Sequence, residues 1–328
     1  MNAPLAPSPA LHLAVDSRRY FNLARPLESL LPSLDILVDS RACLPDTEDL
    51  RKDWVASVAV PAFKLIRQYQ GDQAAFCALG TGVGLDALAA VETLGATRIG
   101  ITDVHETVVS AAYRNILSNL RHPTRVIVEG GHGDLLAPLA PYGARYDLIY
   151  ENLPNVPIGD PARLEEGRTS TAHLPPRPEP VPALVGEHLL SLHYLALVQA
   201  RGFLKPGGAV LSMLGSRIPL AVYGEMARLA GYRADIYTYG WKVQVEGDAV
   251  IPGHAAQQEA GYGPFHFYRA ADLEQAFAGV ALESSGQQAE AIEARLAPKR
   301  LDPFQAWAAY QGGEAIGHTY VALRSRPL

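Results

Sequence analysis

Short strand-like runs alternate with helical patterns in the central part of the chain. Apolar residues recur at helical spacing in residues 85–94 and 106–120, and each of these segments separates two strand-like runs. The four runs in this part of the chain are residues 74–79, 98–102, 125–128 and 146–150. Such alternation is typical of a parallel sheet that is covered by helices on both faces.

The alternation continues towards the carboxyl end. A helical pattern over residues 186–204 precedes a strand-like run at 209–214, and another over 220–231 precedes an aromatic run at 236–243. In the final part of the chain, the strand-like sequences PFHFY and HTYVALR flank the helical sequences ADLEQAFAGV and AEAIEARLA. We expect antiparallel strands from this final part to complete the sheet.

The amino-terminal segment has a helical pattern between Leu27 and Tyr69. The sequence DTEDL precedes an apolar run, which predicts Asp46 or Thr47 as the N-cap of a helix. Pro61 lies inside this pattern and lacks a backbone N–H group, so we expect it to kink or divide the helix.

Two segments interrupt this organisation. Residues 1–10 are rich in Pro and Ala and predict a loose arm, and residues 153–182 are rich in Pro and predict a long loop after the fourth strand. We therefore predict an α/β fold, namely a Rossmann-like sheet with a helical amino-terminal segment and extra carboxyl-terminal elements. The three predicted parts are residues 1–70, 71–245 and 246–328.

The composition narrows the classes of function. The chain has 328 residues, of which 48% are hydrophobic, and this is ample for a large buried core. Its formal net charge of -6 leaves no basic excess to neutralise phosphates, so we expect no nucleic-acid partner. Two cysteines exclude a disulfide framework, and neither a metal-binding His spacing nor an apolar run of roughly eighteen residues occurs. We predict a cytoplasmic protein with a small-molecule partner, without metal or membrane binding.

The strongest chemical signal is a glycine-rich turn. Gly80, Gly82 and Gly84 lie between the first predicted strand and the helix after it. Glycines at this spacing allow a sharp turn and a close approach of a ligand to the N-terminus of a helix. Asp103 ends the second strand, where a carboxylate can accept hydrogen bonds from ribose hydroxyls. Asp134 follows the third strand and can receive an adenine amine, so the sequence predicts a nucleoside cofactor.

A fourth element, Asn152, follows the fourth strand in the sequence ENLPN. With it, the order of elements over residues 72–235 resembles the class I S-adenosylmethionine (SAM)-dependent methyltransferases. Within that class it is most similar to the HemK/PrmC type, which methylates a glutamine side-chain nitrogen. The matching motifs are ALGTGVG for the glycine loop, YDLI before ENLPN for the NPPY motif, and EP, AL and LKPGG further on. The resemblance implies SAM as the cofactor.

The resemblance also implies which residues hold SAM, although three positions depart from the family pattern. Ala78 replaces an acid that helps to hold the methionine end of SAM, and Leu153 and Asn155 replace the first Pro and the Tyr of NPPY. The predicted cofactor-binding residues are Leu79, Gly80, Thr81, Gly82, Gly84, Asp103, Val104, Asp134, Leu135, Asn152 and Pro154.

Two residues are predicted to be catalytic. Methyl transfer needs the nucleophile about 3 Å from the methyl carbon and the exclusion of water, but little acid–base chemistry. Asn152 is expected to orient the attacking atom, because its amide both donates and accepts hydrogen bonds. Tyr20, together with Phe21, is expected to belong to a lid over the sulfonium, where an aromatic ring adds cation–π stabilisation. The alternative for this pair is packing in the core.

These residues leave three functions open. The first is methyl transfer to nitrogen, or as a second choice to oxygen, of a small molecule. The second is cleavage of SAM itself with release of methylthioadenosine, as in nicotianamine and azetidine-2-carboxylate synthases. The third is regulation by SAM binding without catalysis. An NAD-dependent dehydrogenase is disfavoured, because no hydride-transfer His or Tyr-Lys pair is evident, and a homodimer is left open.

Overall fold

The computed structural model describes residues 11–155 and 179–328. The predicted arm of residues 1–10 and most of the predicted proline-rich loop lie outside the described residues. Within them, no helix is long and apolar enough to cross a membrane.

The described chain begins with a pair of antiparallel strands. Strand β1 (Leu11–Asp16) is followed by the short helix α1 (Ser17–Tyr20) and pairs with β2 (Ser33–Val38). The helical pattern predicted from Leu27 is therefore wrong for residues 27–53. In β2 every second side chain is buried, because successive side chains of a strand point to opposite faces.

Helical structure begins later than predicted. Asp46 accepts hydrogen bonds from the backbone N–H groups of Glu48 and Asp49 and closes a turn, so neither Asp46 nor Thr47 caps a helix. Asp53 takes that role, since its Oδ1 accepts a hydrogen bond from Ala56 N at 2.8 Å.

Pro61 marks a break in this helix. One π-helical turn (Val55–Ala59) precedes helix α2 (Val60–Gln70), in which Pro61 is the second residue. Proline has no backbone N–H group and is tolerated in the first turn of a helix, so the regular helix begins next to Pro61, at Val60. The predicted division is confirmed.

A single eight-stranded sheet forms the centre of the molecule. Its strands are β3 (Ala75–Leu79), β4 (Arg98–Asp103), β5 (Ile127–His132), β6 (Tyr146–Glu151), β7 (Leu204–Ser216), β8 (Tyr232–Val243), β9 (Tyr268–Arg269) and β10 (Ile316–Pro327). The strand order is β5-β4-β3-β6-β7-β10-β8, and β9 pairs with β10. Strands β3 to β7 are parallel, whereas β10 is antiparallel to both of its long neighbours. The predicted Rossmann-like sheet, completed by an antiparallel strand from the final part of the chain, is confirmed.

Helices cover both faces of this sheet. They are α3 (Leu85–Leu94), α4 (Glu106–Ser118), α5 (Ala183–Glu187), α6 (Ser191–Ala200), α7 (Leu220–Leu229), α8 (Gly247–Glu259), α9 (Ala270–Phe277), α10 (Leu282–Ser285), α11 (Ala289–Leu296) and α12 (Pro303–Gln311). The amino-terminal segment and α2 to α4 pack on one face, and α6, α7, α9 and α11 pack on the other. Alternate residues of each strand contribute to these two cores, as expected for strands buried on both sides.

Of the strand-like sequence PFHFY, only Tyr268 enters a strand. Phe267 instead forms an isolated bridge with Leu301. Its side chain belongs to a separate small core with Ile251 and Ile316, which explains why an apolar run here is not a full strand.

Buried polar side chains join the amino-terminal segment to the sheet domain. The carboxylate of Glu92, which lies on α3 and is 2% exposed, accepts hydrogen bonds from three successive backbone N–H groups, those of Glu28, Ser29 and Leu30. A buried carboxylate is stabilised by such hydrogen bonds. This contact fixes the chain that leads into β2.

Candidate functional site

The glycine loop joins β3 to α3 and is fastened to the neighbouring strand. The backbone N–H groups of Gly80 and Thr81 both donate to the carbonyl of Thr102, each at 2.9 Å. Gly80, Gly82 and Gly84 have φ angles of 69°, 52° and 83°, which residues other than glycine rarely adopt. The loop therefore turns sharply, as its sequence predicts, and places the N-terminus of α3 beside it.

Space around the loop is open at its middle glycine. A methyl group added to Gly82 would meet no atom within 4 Å. One added to Gly80 would lie 3.1 Å from the side chain of Leu153, and one added to Gly84 would lie 3.3 Å from the carbonyl of Ala112. The loop thus packs against helix α4 on one side and the segment after β6 on the other, and leaves its crest accessible to a ligand.

Asp103 reaches the same loop from the end of β4. Its Oδ2 accepts a long hydrogen bond from Gly82 N at 3.4 Å, and its Oδ1 accepts one from His105 N at 3.2 Å. Burial raises the pKa of this carboxyl group. Val104, the next residue, is 66% exposed although it is apolar. A carboxylate with weak partners beside an uncovered apolar side chain suits the ribose and the adenine of a nucleoside.

The loop after β5 is held by helix α6. The side-chain amide of Gln199 donates to Asp134 Oδ2 and accepts from Leu136 N, both at 3.0 Å. The side chains of Leu135 and Leu79 are buried in the core at 6% and 2% exposure. Any contact of these two leucines with a cofactor would therefore come from their backbone, and their predicted role remains a prediction.

The segment after β6 begins with a buried acid. Glu151 is fully buried, accepts a hydrogen bond from Leu153 N at 3.1 Å, and contacts His193 Nδ1 of α6 at 2.9 Å. His193 is also fully buried, and its Nε2 has no hydrogen-bond partner among the residues described. This pair ties the start of the ENLPN segment to α6. Sequence reasoning missed it, because a glutamate and a histidine so far apart in the chain give no joint signal.

Asn152 and Pro154 are partly exposed. Register places Asn152 directly after the pair Leu79–Glu151, where the carboxyl ends of β3 and β6 meet, and after the pair Glu151–Ser212, four residues before β7 ends. Within the described chain, its amide group forms no hydrogen bond. The predicted roles of Asn152 in orienting the acceptor and of Asn152 and Pro154 in binding the cofactor remain predictions.

Tyr20 lies inside the molecule. It is 2% exposed, its hydroxyl donates to Asp53 Oδ1 at 2.7 Å, and its ring packs edge-on against Phe21 at 5.2 Å between centroids. Burial and the nearby carboxylate of Asp53 raise the pKa of this phenol. The structure thus describes the packed alternative for the pair, and a movement of Tyr20 over a cofactor remains a prediction.

A second buried acid lies under the glycine loop. Asp86, in the first turn of α3, is 4% exposed and accepts hydrogen bonds from Thr81 Oγ1 at 3.0 Å and from Ala87 N at 2.7 Å. Burial raises the pKa of its carboxyl group to about 7. The sequence offers no signal for this residue beyond an acid in the first turn of a helix.

No protein-family model matches the chain, and no curated protein matches it. Similar solved structures include the ribosomal protein L11 methylase of Lactobacillus delbrueckii, at 17% identity and a TM-score of 0.36 over 55% of this chain and 71% of that one. A precorrin-6y C5,15-methyltransferase of Geobacter metallireducens has 8% identity and a TM-score of 0.40 over 87% and 94%. The T. thermophilus 16S rRNA N2 G1207 methyltransferase, solved with AdoMet and guanosine, has 13% identity and a TM-score of 0.42 over 71% and 49%. These values assign neither a substrate nor a site residue to this chain.

Proposed function

We propose that the chain is a SAM-dependent methyltransferase that acts on nitrogen, or as a second choice on oxygen, of a small molecule. One arrangement carries this proposal. The glycine loop is open at Gly82, and it lies between the carboxylate of Asp103 and the segment that follows Asn152. A nucleoside site and an acceptor site are thereby adjacent at the carboxyl end of a parallel sheet, where α/β folds bind their ligands.

The donor set fits SAM. Asp103 would accept hydrogen bonds from the ribose, Val104 would cover one face of the adenine, and the loop around Asp134 and Leu135 would border its edge. The amino-acid end of SAM would lie against the open middle of the glycine loop at Gly82, where no side chain stands in the way. When bound, SAM supplies a sulfonium methyl group that a nucleophile can displace.

The residues of the chain would position the acceptor. Asn152 would bind the attacking atom through its amide, which is uncharged and both donates and accepts. Glu151 and His193 would keep the backbone of this segment in place, because both are buried and in contact. Positioning of this kind can contribute several orders of magnitude to a rate.

Calorimetry with S-adenosylhomocysteine tests the cofactor site. Gly82→Val should weaken binding at least tenfold, since a branched side chain would occupy the crest of the loop. Gly143→Val is the matched control, because Gly143 has a similar φ of 63° and equally open surroundings away from the sheet end. If both variants have the same affinity for S-adenosylhomocysteine, the glycine loop does not contact the cofactor.

Product analysis separates the three functions. The purified protein is incubated with SAM and a metabolite extract, and nucleoside products are identified by mass spectrometry. Formation of S-adenosylhomocysteine would support methyl transfer, and formation of methylthioadenosine would indicate cleavage of SAM. Formation of neither compound would indicate a binding protein. Asn152→Ala should lower turnover at least tenfold while the affinity for S-adenosylhomocysteine changes little.

A further inference from the structure

Arg217 is a buried cation at the carboxyl end of β7. It directly follows Ser216, the last residue of that strand, and is only 6% exposed. Its Nη2 donates to Gln244 Oε1 at 2.6 Å and its Nη1 makes a long contact of 3.4 Å with the carbonyl of Gly215. Among the residues that the structure describes, its Nε has no hydrogen-bond partner. A guanidinium carries five N–H donors, so most of its binding capacity is unused.

No carboxylate lies within ion-pair distance of Arg217 among the residues that the structure describes. Its ionisable neighbours are neutral instead. Burial and the charge of Arg217 lower the pKa of His254 to about 3 and hold that of His318 well below its usual range. Burial also lowers the pKa of the arginine itself, to about 10, which still leaves it charged near neutral pH. A buried cation without a counter-ion is costly, so an anion from outside the chain would stabilise it.

The surroundings of Arg217 are shaped to hold its side chain. A methyl group at Gly215 would lie 2.7 Å from Arg217 Nη1, so only glycine leaves room for the guanidinium there. The ring of Phe267 lies 5.5 Å from the guanidinium carbon and supports it from one side. These contacts fix the orientation of the guanidinium.

The guanidinium faces a small polar cavity. This cavity measures about 10 Å³, about the space of one water molecule, and it is lined by Arg217, Tyr223, His254 and Asn155 among others. The hydroxyl of Tyr223 is buried, has Ser216 and Arg217 as polar neighbours, and lacks a hydrogen-bond partner of good geometry. Within the described part of the chain, Arg217 Nε and the Tyr223 hydroxyl are thus two buried polar atoms without a well-formed hydrogen bond, and both residues line this one cavity.

Asn155 connects this cavity with the acceptor site. It lies in the ENLPN segment, three residues after Asn152, and lines the cavity that Arg217 faces. We propose that Arg217 and Tyr223 bind a carboxylate of the methyl acceptor, whose nucleophilic atom lies at Asn152. This assignment of a substrate class rests on the proposed methyl transfer. A carboxylate matches the two parallel N–H donors of the guanidinium, and one of its oxygens would take the water-sized space of the cavity while the rest of the acceptor lies towards Asn155.

Anion binding is tested first, without any turnover. Thermal unfolding of the full chain is measured in sodium acetate and in sodium chloride at equal ionic strength. Acetate should raise the melting temperature of the wild type, and Arg217→Met should abolish this rise. Arg201→Met is the matched control, because Arg201 also lies over an aromatic ring, at 5.8 Å from that of Tyr232, but is exposed. A wild-type protein that acetate does not stabilise would overturn the proposal, whether or not SAM is consumed.

The stability of the variants separates a binding role from a structural one. In chloride, Arg217→Met should melt at the same temperature as the wild type or higher, since it removes a buried charge that has no counter-ion. A lower melting temperature together with an unchanged response to acetate would show a structural arginine and overturn the proposal. If Arg217→Met fails to fold, Arg217→Lys is used instead, because it keeps the positive charge but lacks the planar guanidinium. Acetate should raise its melting temperature less than that of the wild type.

Acceptor specificity is tested second. Amino acids and their carboxamide analogues are offered with SAM, and S-adenosylhomocysteine is quantified. Acceptors with a free carboxylate should be methylated and their carboxamides should not. For an active acceptor, Arg217→Met should raise KM at least thirtyfold while the affinity for S-adenosylhomocysteine stays within threefold. A tenfold loss of that affinity would assign Arg217 to the cofactor and overturn the proposal, and so would equal use of both acceptor classes.

Discussion

At the scale of single residues, sequence spacing predicts the positions of the glycine loop but not those of the buried charged side chains. Gly80, Gly82 and Asp103 follow from sequence spacing alone, because a strand, a glycine turn and a second acid-ended strand dictate their place. Asp86 and Arg217 do not follow from spacing, since the burial of a charged side chain depends on elements that are distant in the chain. The two buried charges therefore appear only in the structure.

Asp86 predicts a specific pH dependence of stability. Its carboxyl group has a pKa of about 7 in the folded state, against 3.8 in an unfolded chain. The folded state thus binds the proton more tightly, and its stability falls as the pH rises from about 4 to about 7. The full difference corresponds to about 4 kcal/mol at about 1.4 kcal/mol per pKa unit.

Asp86→Asn should remove this dependence. An amide keeps an oxygen for the hydrogen bonds from Thr81 and Ala87 but carries no charge. We expect the variant to exceed the wild type in stability by roughly 2–4 kcal/mol at pH 8, and to differ little near pH 4. Urea unfolding across this range measures the difference. A gap that stays constant between the two pH values would contradict the raised pKa.

Asp103 predicts a loss of cofactor affinity without a loss of stability. Its two hydrogen bonds within the chain are 3.2 and 3.4 Å long, so the fold gains little from them. Asp103→Ala should weaken SAM binding by about 1.5–3 kcal/mol, the contribution of hydrogen bonds to a charged group. Calorimetry gives the affinity, and Asp147→Ala is the control, since Asp147 binds Lys205 on the same sheet. An unchanged affinity for SAM would place the ribose elsewhere.

At the scale of elements, sequence patterns predict a strand most directly where all its side chains are buried. The strand β3 is buried at every position, and such apolar runs between glycine-rich turns are recognised directly. The strand β2 alternates in burial, but its sequence SLDILV does not alternate in polarity, because Leu37 is apolar as well as Ile36 and Val38. Its apolar residues therefore also fit the i, i+3, i+4 spacing of a helix. The prediction therefore succeeded for the central sheet and was wrong for strand β2, which packs with the amino-terminal segment on one of its faces.

The contact between β6 and α6 predicts a positioning effect. His193→Leu leaves the carboxylate of Glu151 buried without its partner, which should cost about 1–3 kcal/mol of stability. Because Glu151 also holds Leu153 N, the variant should lower kcat more than it raises KM. His193→Gln, whose amide can donate to Glu151, should restore part of the stability and part of kcat.

The control for this prediction is His12→Leu. His12 also contacts a carboxylate, that of Asp35 at 2.8 Å, but both side chains are exposed. Surface pairs of this kind contribute little, so neither stability nor kcat should change. If His193→Gln is as impaired in kcat as His193→Leu, the contact does not position the acceptor segment.

At the scale of the whole molecule, the amino-terminal strand pair is joined to the glycine loop through one side chain. Asn115 of α4 accepts a hydrogen bond from Leu37 N at 2.9 Å and donates to the carbonyls of Leu37 and Val83, at 2.8 and 3.0 Å. Val83 belongs to the glycine loop, whereas Leu37 belongs to β2. Motion of the strand pair would thus reach the proposed cofactor site through Asn115. The predicted lid would then act through this contact while Tyr20 stays buried.

Asn119, one turn later on the same helix, offers a matched comparison. It binds β2 in the same manner, through Asp35 N at 2.8 Å and the carbonyl of Asp35 at 2.9 Å, but its third partner is the carbonyl of Asn115 rather than the glycine loop. Both asparagines are 1% exposed. Alanine at either position removes buried hydrogen bonds to the backbone of β2 and should lower the stability by about 2–3 kcal/mol.

The two alanine variants should differ in cofactor binding. Only Asn115→Ala releases the carbonyl of Val83, so only this variant should loosen the glycine loop and weaken SAM binding, by about tenfold. Urea unfolding measures the shared loss of stability, and calorimetry measures the affinity at a temperature where both variants are folded. If both variants bind SAM as tightly as the wild type, β2 and the glycine loop are independent of each other. A comparable loss in both variants would mean that the strand pair supports the site as a whole, rather than through this one hydrogen bond.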